Sequence, residues 1–582
     1  MDKKALLPVL LLVLWFVFQD SILDFIFGPP PKPAPGMHAT NAAPVRAKPI
    51  PAATVLTTPD SLASRLKNTS SSEKTAVLEN DAMRVNFTSR GGGISTVELK
   101  HFALPEEGNT ILNSASPLSV LAVEMGDLHL NDSWQLTSDA NTVRAQFTSP
   151  SGLQAVKQFS LTNDYQVAVT LTVKNTGKAT VQNPLQLALG MAGHSDVGDE
   201  ARQASTKSFK SSTQSAMWST YLGISYLGAE KVHHQYLPGI QKFVSKQQKP
   251  WVQVEAIQWA AVKNQYFTLL TTPNAAFQEI QAEPYEIGKT ADGKSNQGVL
   301  ASIRTTPLAL QPGASTNWTF LVYAGPKEYA RLSTLGNRQG DVLDLSWAAI
   351  SHTLLSVMTA FHGVFHNWGV AIIAVTLLIK ILLWPLTAIS TRNMKQMQAL
   401  SPKMNVIKEK YKDDSKKMNE EMMKLYRDYR VNPLAGCLPM LVQIPIFFAF
   451  YSMLRSSIEL RGAHFLWIHD LSLPDTIAFI PGTHMPINLM PLVMAVTMIW
   501  QTKITPQAPS ADPSMKMMMW FMPLTFLYFC YNFSSGLSLY WTVQNLLTIL
   551  QTVLSKDKPA EPPQKIKRGG GSFFGRSRDN RK

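Results

Sequence analysis

Apolar and polar positions follow two different periods along this chain, and the period changes near residue 340. From about residue 75 to residue 323 apolar residues recur at every second position in short runs. Met83, Val85 and Phe87 alternate before the turn at Arg90 and its following glycines, and Val97 and Leu99 continue after it. Val167, Val169, Leu171 and Val173 alternate before the turn at Asn175, Thr176 and Gly177. A period of two buries one face of a strand, and repeated short runs punctuated by Gly and Asn predict a large antiparallel β-sandwich, placed at residues 75–340. Between residues 342 and 361 the period becomes helical. Trp347, Ile350, Leu354, Val357, Met358 and Phe361 fall on one face and His352, Ser356 and Thr359 on another. This predicts an amphipathic helix within residues 341–366, lying in the membrane interface or closing the sandwich as a core helix.

Beyond it the chain is dominated by apolar spans. Residues 368–385, WGVAIIAVTLLIKILLWP, come close to the ~20 residues that a helix needs to cross a hydrocarbon core. Further spans follow at 434–454, 487–500, 517–533 and 536–554, giving a five-span core at 367–554. Within it, the charged residues 389–431 carry one apolar stripe at Met404, Ile407 and Tyr411 and a second at Met418, Met422, Leu425 and Tyr429. Asp413, Asp414 and Ser415 supply turn and N-cap chemistry between the stripes, so a helical hairpin is expected. At the other end, Lys3 and Lys4 precede an apolar stretch with no small-x-small cleavage site, and residues 1–27 read as an uncleaved transmembrane anchor. Residues 28–74, rich in Pro and Ala, read as a linker.

Charge adds orientation. The 582 residues carry a formal net charge of +14, and the basic residues gather beside the spans: Lys3 and Lys4, residues 392–430, and the tail 555–582. Basic loops stay on the cytoplasmic side. The hairpin, the tail and both termini are therefore expected in the cytoplasm, with six spans in all. The sandwich lies on the other side, as does the loop after residue 454, where Glu459, Asp470 and Asp475 outnumber Arg461. The two cysteines, Cys437 and Cys530, lie in apolar spans and read as buried thiols. His194, Asp196, His233 and His234 have no metal-ligand or triad partner at a recognisable spacing, so the sandwich reads as neither enzyme nor metal site. No cofactor is implied.

Lys380 stands inside the span 368–385. An ionisable group there faces a polar bundle interior, or snorkels to the interface beside Pro385. Thr376 lies one helical turn away on the same face.

The stretches FHNWGVAIIAVTLLIKILLWPLT, VNPLAGCLPMLVQIPIFFAFYSMLR and SSGLSLYWTVQNLLTILQ resemble the characteristic spans of the YidC/Oxa/Alb membrane protein insertases. The anchor and large sandwich are similar to the Gram-negative branch of that family, and the likeness covers nearly the whole chain. It implies a mixed fold: six α-helical spans, a periplasmic β-sandwich and a cytoplasmic helical hairpin, in the bacterial inner membrane. The implied function is that of an insertase and chaperone. It would insert and help fold new inner-membrane proteins through a positively charged groove, alone or with the Sec translocon.

The same resemblance implies the working residues. Lys380, Thr376, Gln443, Tyr540, Trp541 and Asn545 would line the groove. Met440, Phe447, Met518 and Met522 would form an apolar slide for the substrate's own span. The hairpin residues Met404, Ile407, Tyr411, Met418, Met422 and Leu425, with the basic tail, would receive substrate and meet the ribosome. Expected partners are nascent membrane proteins, the Sec translocon, the ribosome and the lipid bilayer, and not DNA. The family usually places an arginine where this chain has Lys380, which exchanges a planar fork of five donors for a point charge. A transporter or channel with Lys380 in its path is the rival reading. Short spans and the lack of an inverted repeat weigh against it.

Overall fold

The computed structural model describes Leu62 and residues 73–104, 108–193, 221–246, 251–289, 295–429, 431–432, 438–481, 486–505 and 513–554. The expected anchor 1–27, the basic tail 555–582, Cys437, His194 and Asp196 lie outside them, as does all of the linker except Leu62 and its last two residues. The chain divides into two compact units. Among the described residues, one holds those within 55–360 and 448–487, the other those within 361–447 and 488–554.

The first unit is built on antiparallel sheets. A nine-stranded sheet runs in the order Val232–Tyr236, Gly223–Leu227, Trp259–Lys263, Phe267–Pro273, Ser315–Pro326, Gln166–Asn175, Leu153–Asn163, Thr142–Thr148 and Gln135–Ser138. A five-stranded sheet, ordered Trp251–Ile257, Phe277–Lys289, Ser295–Arg304, Gln186–Ala192 and Val123–Glu124, stacks on its first half. A four-stranded sheet, Thr75–Glu79, Met83–Thr88, Gly93–Leu104 and Gly108–Leu112, packs against the far end. Val167, Val169, Leu171 and Val173 all point into the core, as do Met83, Val85 and Phe87, so the period of two works as expected. Gln186–Ala192 and Trp259–Lys263 are buried at every residue. Strands covered on both faces have no polar face to alternate with. Leu62, from the expected linker, is fully buried among Leu118, Leu130, Met191 and Leu300.

Two inward-facing lysines organise this unit. Lys157 occupies a core position between Ala155 and Phe159, where alternation calls for an apolar residue. Its ammonium donates to the carbonyls of Gly91 (2.7 Å), Gly92 (3.0 Å) and Leu121 (2.7 Å), and lies 4.2 Å from the centroid of the Trp134 ring. Gly91 and Gly92 are left-handed, at φ +71° and +56°, and a Cβ on Gly92 would strike the Trp134 ring at 2.4 Å. The glycine turn thus aims its carbonyls at the lysine, and three acceptors match the three donors of an ammonium.

Lys263, equally buried, reaches the Val342 carbonyl (3.1 Å), the Tyr236 hydroxyl (3.2 Å) and His234 Nδ1 (3.3 Å). Asp344 accepts a hydrogen bond from Tyr236, and its other oxygen lies 3.4 Å from His234 Nε2. Ser225 Oγ completes the cluster at 2.8 Å from His234 Nδ1. His234 is therefore a core histidine, and its network ties the sheet to the chain that leads into the helices. Burial pushes its pKa down to about 4, reinforced by the Lys263 and Lys327 charges and opposed by Asp344.

The helices are α1 (Leu237–Lys246), α2 (Tyr329–Thr334), α3 (Ala348–Phe365), α4 (Trp368–Ala399), α5 (Ser401–Lys410), α6 (Ser415–Asp428), α7 (Leu438–Ser456), α8 (Leu489–Ile504), α9 (Pro513–Cys530) and α10 (Ser535–Leu554). The expected amphipathic helix starts later than its apolar periodicity, because Asp344 and Trp347 adopt φ of +52° and +54° and break it before Ala348. Trp347 is exposed, and the buried face of α3 is Ser351, Leu354, Leu355 and Met358. The span expected to stop at Pro385 continues through that proline to Ala399, so the first part of the expected hairpin prolongs α4. By length and composition, α3 and α4 are the described helices long and apolar enough to cross a membrane alone, whereas Leu441–Ser456, Leu489–Ile504 and Phe521–Cys530 are shorter apolar stretches.

Replacing Lys157 by Met keeps the side-chain length and strands three buried carbonyls. We expect a loss of about 2–4 kcal/mol in unfolding free energy, measured by denaturant titration of the solubilised protein, with m unchanged. The His234 pKa gives a second expectation. A folded value of about 4, below the ordinary 6.5, means that the unfolded chain takes up the proton first as pH falls. The His234 contribution is intact above pH 6.5 and disappears between about 6.5 and 4. His234→Gln should flatten the stability-versus-pH curve over that window.

Candidate functional site

The site lies within the second unit, where α4, the first half of α7, α8 and α10 carry the polar residues singled out in the sequence. Helix α4 begins at a tight corner. His366 sits at φ +52°, the Asn367 side chain caps the helix by accepting from the Val370 N–H (3.1 Å), and the His362 ring stacks on Trp368 at 3.8 Å. The buried face of α4 is Ala371, Ile372, Val375, Thr376, Ile379 and Lys380, a helical i, i+3, i+4 series. The outer face shows Leu377, Ile381, Leu382 and Trp384, all exposed. Lys380 thus stands on the inner stripe, 4% exposed, instead of among the residues that would meet lipid.

Its ammonium donates to Thr548 Oγ1 on α10 at 2.8 Å, and that hydroxyl donates in turn to the Gln544 carbonyl at 2.7 Å. Among the described residues no ion pair holds Lys380. Thr376, fully buried, turns its hydroxyl back onto the Ile372 carbonyl at 2.7 Å. One helical turn separates it from Lys380, but it makes no bond to α10. Gln443 on α7 donates to the Tyr540 hydroxyl at 2.8 Å, and Asn545 donates to Thr497 Oγ1 on α8 at 3.1 Å. The Trp541 ring is wedged between Phe447 (4.9 Å between centroids, perpendicular) and Phe526 (4.5 Å).

These bonds trace a stripe on α10 that the sequence reading only partly named. Tyr540, Gln544, Thr548 and Gln551 follow one another at three- and four-residue intervals and so share a face. Tyr540 meets α7, Thr548 meets Lys380, and Gln551 donates to Thr387 Oγ1 on α4 at 2.6 Å. Gln544, Thr548, Gln551 and Thr387 were missed: the first three share the Tyr540 face and Thr387 lies two turns from Lys380, but spacing along one helix does not say which face meets a partner. Two atoms near the stripe are buried without a hydrogen-bond partner among the described residues: Gln544 Oε1 and Ser538 Oγ. In an apolar setting each such atom costs about 1–3 kcal/mol, which favours water or a polar guest beside it.

The expected slide residues separate. Phe447 is half-buried, its ring packed edge-on against Trp541. Met522 is partly exposed at 36%, and the side chains of Met440 and Met518 lie outside the described residues.

The hairpin is a pair of helices, α5 and α6. Met404 is buried with Met397, Leu400 and Val431, and Met422 and Leu425 pack on that cluster, while Ile407, Tyr411 and Met418 are half-buried. Asp414 caps α6 by accepting from the Lys417 N–H at 3.0 Å. Val406 and Met423 face outward, at 64% and 55% exposure.

Taken together, the fold and site define an α-helical membrane protein with a β-rich domain outside the bilayer and a polar stripe among its helices. The family model described as "60Kd inner membrane protein" matches residues 360–561, and that described as "YidC periplasmic domain" matches residues 75–357. The chain is 32% identical over 573 residues to the membrane protein insertase YidC of Geobacter sulfurreducens, covering 95% of this chain and 97% of the relative. It is 30% identical to that of Geotalea daltonii, covering 96% and 100%. A crystal structure of an active YidC insertase with its first transmembrane domain resolved matches at 19% identity and a TM-score of 0.34, over 84% of this chain and 93% of that one. The chain belongs to the YidC family of membrane protein insertases, whose members are named for insertion and not for an enzymatic reaction.

Interhelical side-chain bonds in membranes contribute about 0.6 kcal/mol on average and up to ~1.7. A double-mutant cycle on Gln443→Leu and Tyr540→Phe should give a coupling in that range by unfolding of the solubilised protein. A coupling of zero would mean that the two side chains are not bonded.

Proposed function

We propose that the stripe formed by Lys380, Thr376, Gln443, Tyr540, Gln544, Thr548 and Asn545 is a hydrophilic groove. It takes up the polar segment of a nascent inner-membrane protein while that protein's apolar span moves along lipid-facing helix surfaces, Met522 among them. The observation that carries this reading is the lysine on the inner face of α4, held by one hydroxyl and no carboxylate among the described residues. A charge that served only structure would have its donors saturated, as three carbonyls saturate those of Lys157, because an unmatched buried ion is expensive. An ammonium held by a neutral hydroxyl remains available to an acidic guest through Coulomb attraction. The surrounding hydroxyls and amides replace part of the water that a crossing polar segment loses, which lowers the barrier to its passage.

On this reading the membrane part has six spans, counting the N-terminal anchor and the shorter helices α7 to α9 with α10. Both termini are cytoplasmic and the β-rich domain is periplasmic. The hairpin α5–α6, with its outward Val406 and Met423, meets emerging substrate. The hairpin and the basic tail contact the ribosome, whose phosphates suit Lys and Arg. The same groove serves substrates delivered alone or beside the Sec translocon, and assists their folding.

Reconstitution in liposomes tests this. Purified protein should insert a small single-span substrate with an acidic translocated segment, and Lys380→Arg should retain that activity. Lys380→Ala should lower the initial rate about tenfold, a factor worth ~1.4 kcal/mol of the ~2.5–3.5 kcal/mol that a charged residue costs at the bilayer centre. Equal rates for all three proteins would overturn the groove, and solute flux without insertion would favour a channel.

A further inference from the structure

The stretch between α7 and α8 hides its charges and displays its apolar side chains. Residues 465–468 form a two-residue hairpin turn closed by both backbone bonds: the Phe465 N–H donates to the Ile468 carbonyl and the Ile468 N–H to the Phe465 carbonyl, each at 2.9 Å. The two residues at the tip are Leu466 and Trp467. Leu466 is left-handed, at φ +52°, and 74% exposed. Such turns ordinarily place Gly or Asn at that position, since a bulky side chain there carries about 1–3 kcal/mol of backbone strain. Here the strain holds a leucine out into its surroundings.

The neighbouring side chains follow the same sense. Ile477, Phe479 and Ile480 are exposed at 54%, 39% and 42%, on and just after the strand Thr476–Phe479. The carboxylates Asp475, which is buried, and Asp470, which is half-buried, are engaged in hydrogen bonds within the loop. Asp475, 6% exposed, accepts from Trp467 Nε1 at 3.0 Å, and Asp470 Oδ1 accepts from the Ser472 N–H (2.8 Å) and hydroxyl (2.6 Å). The Asp475 bond also satisfies the polar edge of the indole, leaving its apolar body free to meet hydrocarbon. A loop built for water would reverse these choices.

We propose that this loop is a membrane wedge, in which Leu466 and Trp467, flanked by Ile477, Phe479 and Ile480, sit in the headgroup–acyl boundary of the outer leaflet. The occupant is lipid because the loop continues directly from α7 into α8, which themselves expose Leu441, Val442, Leu492 and Val496. Among the described residues of the loop, Asp475 is buried and Asp470 is half-buried and bonded to Ser472, which limits repulsion from anionic lipid. Tryptophan is the side chain most favoured at that depth. The wedge would fix the outer ends of two helices against the bilayer while the polar stripe works between them. It rests on the membrane placement of α7 and α8 and not on the groove.

The test uses full-length protein in liposomes of phosphatidylethanolamine and phosphatidylglycerol. A nitroxide is attached to Leu466→Cys in a chain carrying Cys437→Ser and Cys530→Ala, with Val77→Cys, exposed on the strand Thr75–Glu79 of the four-stranded sheet, as control. The ratio of oxygen to nickel-chelate accessibility should be several-fold higher at 466 than at 77. In a chain with both cysteines intact, p-benzoylphenylalanine installed at Leu466 should yield lipid adducts on irradiation, and the same group at Val77 should not. Equal accessibility ratios, or adducts to protein in place of lipid, would overturn the wedge. Substrate insertion by the unmodified protein is read separately, so a failed wedge and a failed groove remain distinguishable.

Discussion

An ammonium held inside an apolar helix bundle needs polar partners, and the bond from Lys380 to Thr548 is where that requirement shapes the membrane unit. It sets the rotation of α4, with Lys380 and Thr376 inward and Leu377, Ile381 and Leu382 outward. It also joins α4 to α10. Once α10 presents Thr548 to α4, its helical period brings Tyr540 toward α7 and Gln551 toward Thr387, and Asn545 bonds α8. Four segments distant in sequence are thereby held by side-chain bonds that would be unsatisfied in lipid. One hydroxyl is the hydrogen-bond partner of the Lys380 ammonium among the described residues, and the groove proposed above rests on that unsaturated ammonium.

The β-rich unit uses lysine differently. Lys157 is saturated by three carbonyls from glycine and leucine turns, and Lys263 by a tyrosine, a histidine and a carbonyl, with Asp344 close by. Both are closed networks in which every donor has a place, and such networks rigidify a core. Saturation of the ammonium distinguishes these lysines from Lys380 better than burial does, since all three are buried.

Much of this was legible in the sequence, and what was not has physical causes. Alternation located strands such as Gln166–Asn175, because one face meets core and the other water. It was silent for Gln186–Ala192, which is buried throughout and reads as a plain apolar run. The Val342 start expected for α3 failed because Asp344 and Trp347 take left-handed backbone angles that side-chain periodicity does not encode. Pro385 suggested an end to α4, yet one missing backbone donor did not stop a helix held on both sides of the proline by packing. The Lys380 position stood out because a charge in an apolar run is conspicuous. Thr548 and Gln544 did not, because threonine and glutamine in a helix attract notice only when the partner across the interface is known. Lys157 and Lys263 escaped for the same reason, their acceptors being 27 to 79 residues away in sequence.

The proposed groove places a translocating polar segment against the stripe on α10. Site-directed photocrosslinking from two positions on that one helix tests it most directly: Gln544, on the polar face, and Leu550, which is 51% exposed on the outer face. During insertion, a probe at 544 should capture the substrate's hydrophilic segment, and a probe at 550 should capture lipid or the substrate's apolar span. Capture of the hydrophilic segment equally from both positions, or from 550 alone, would contradict the account.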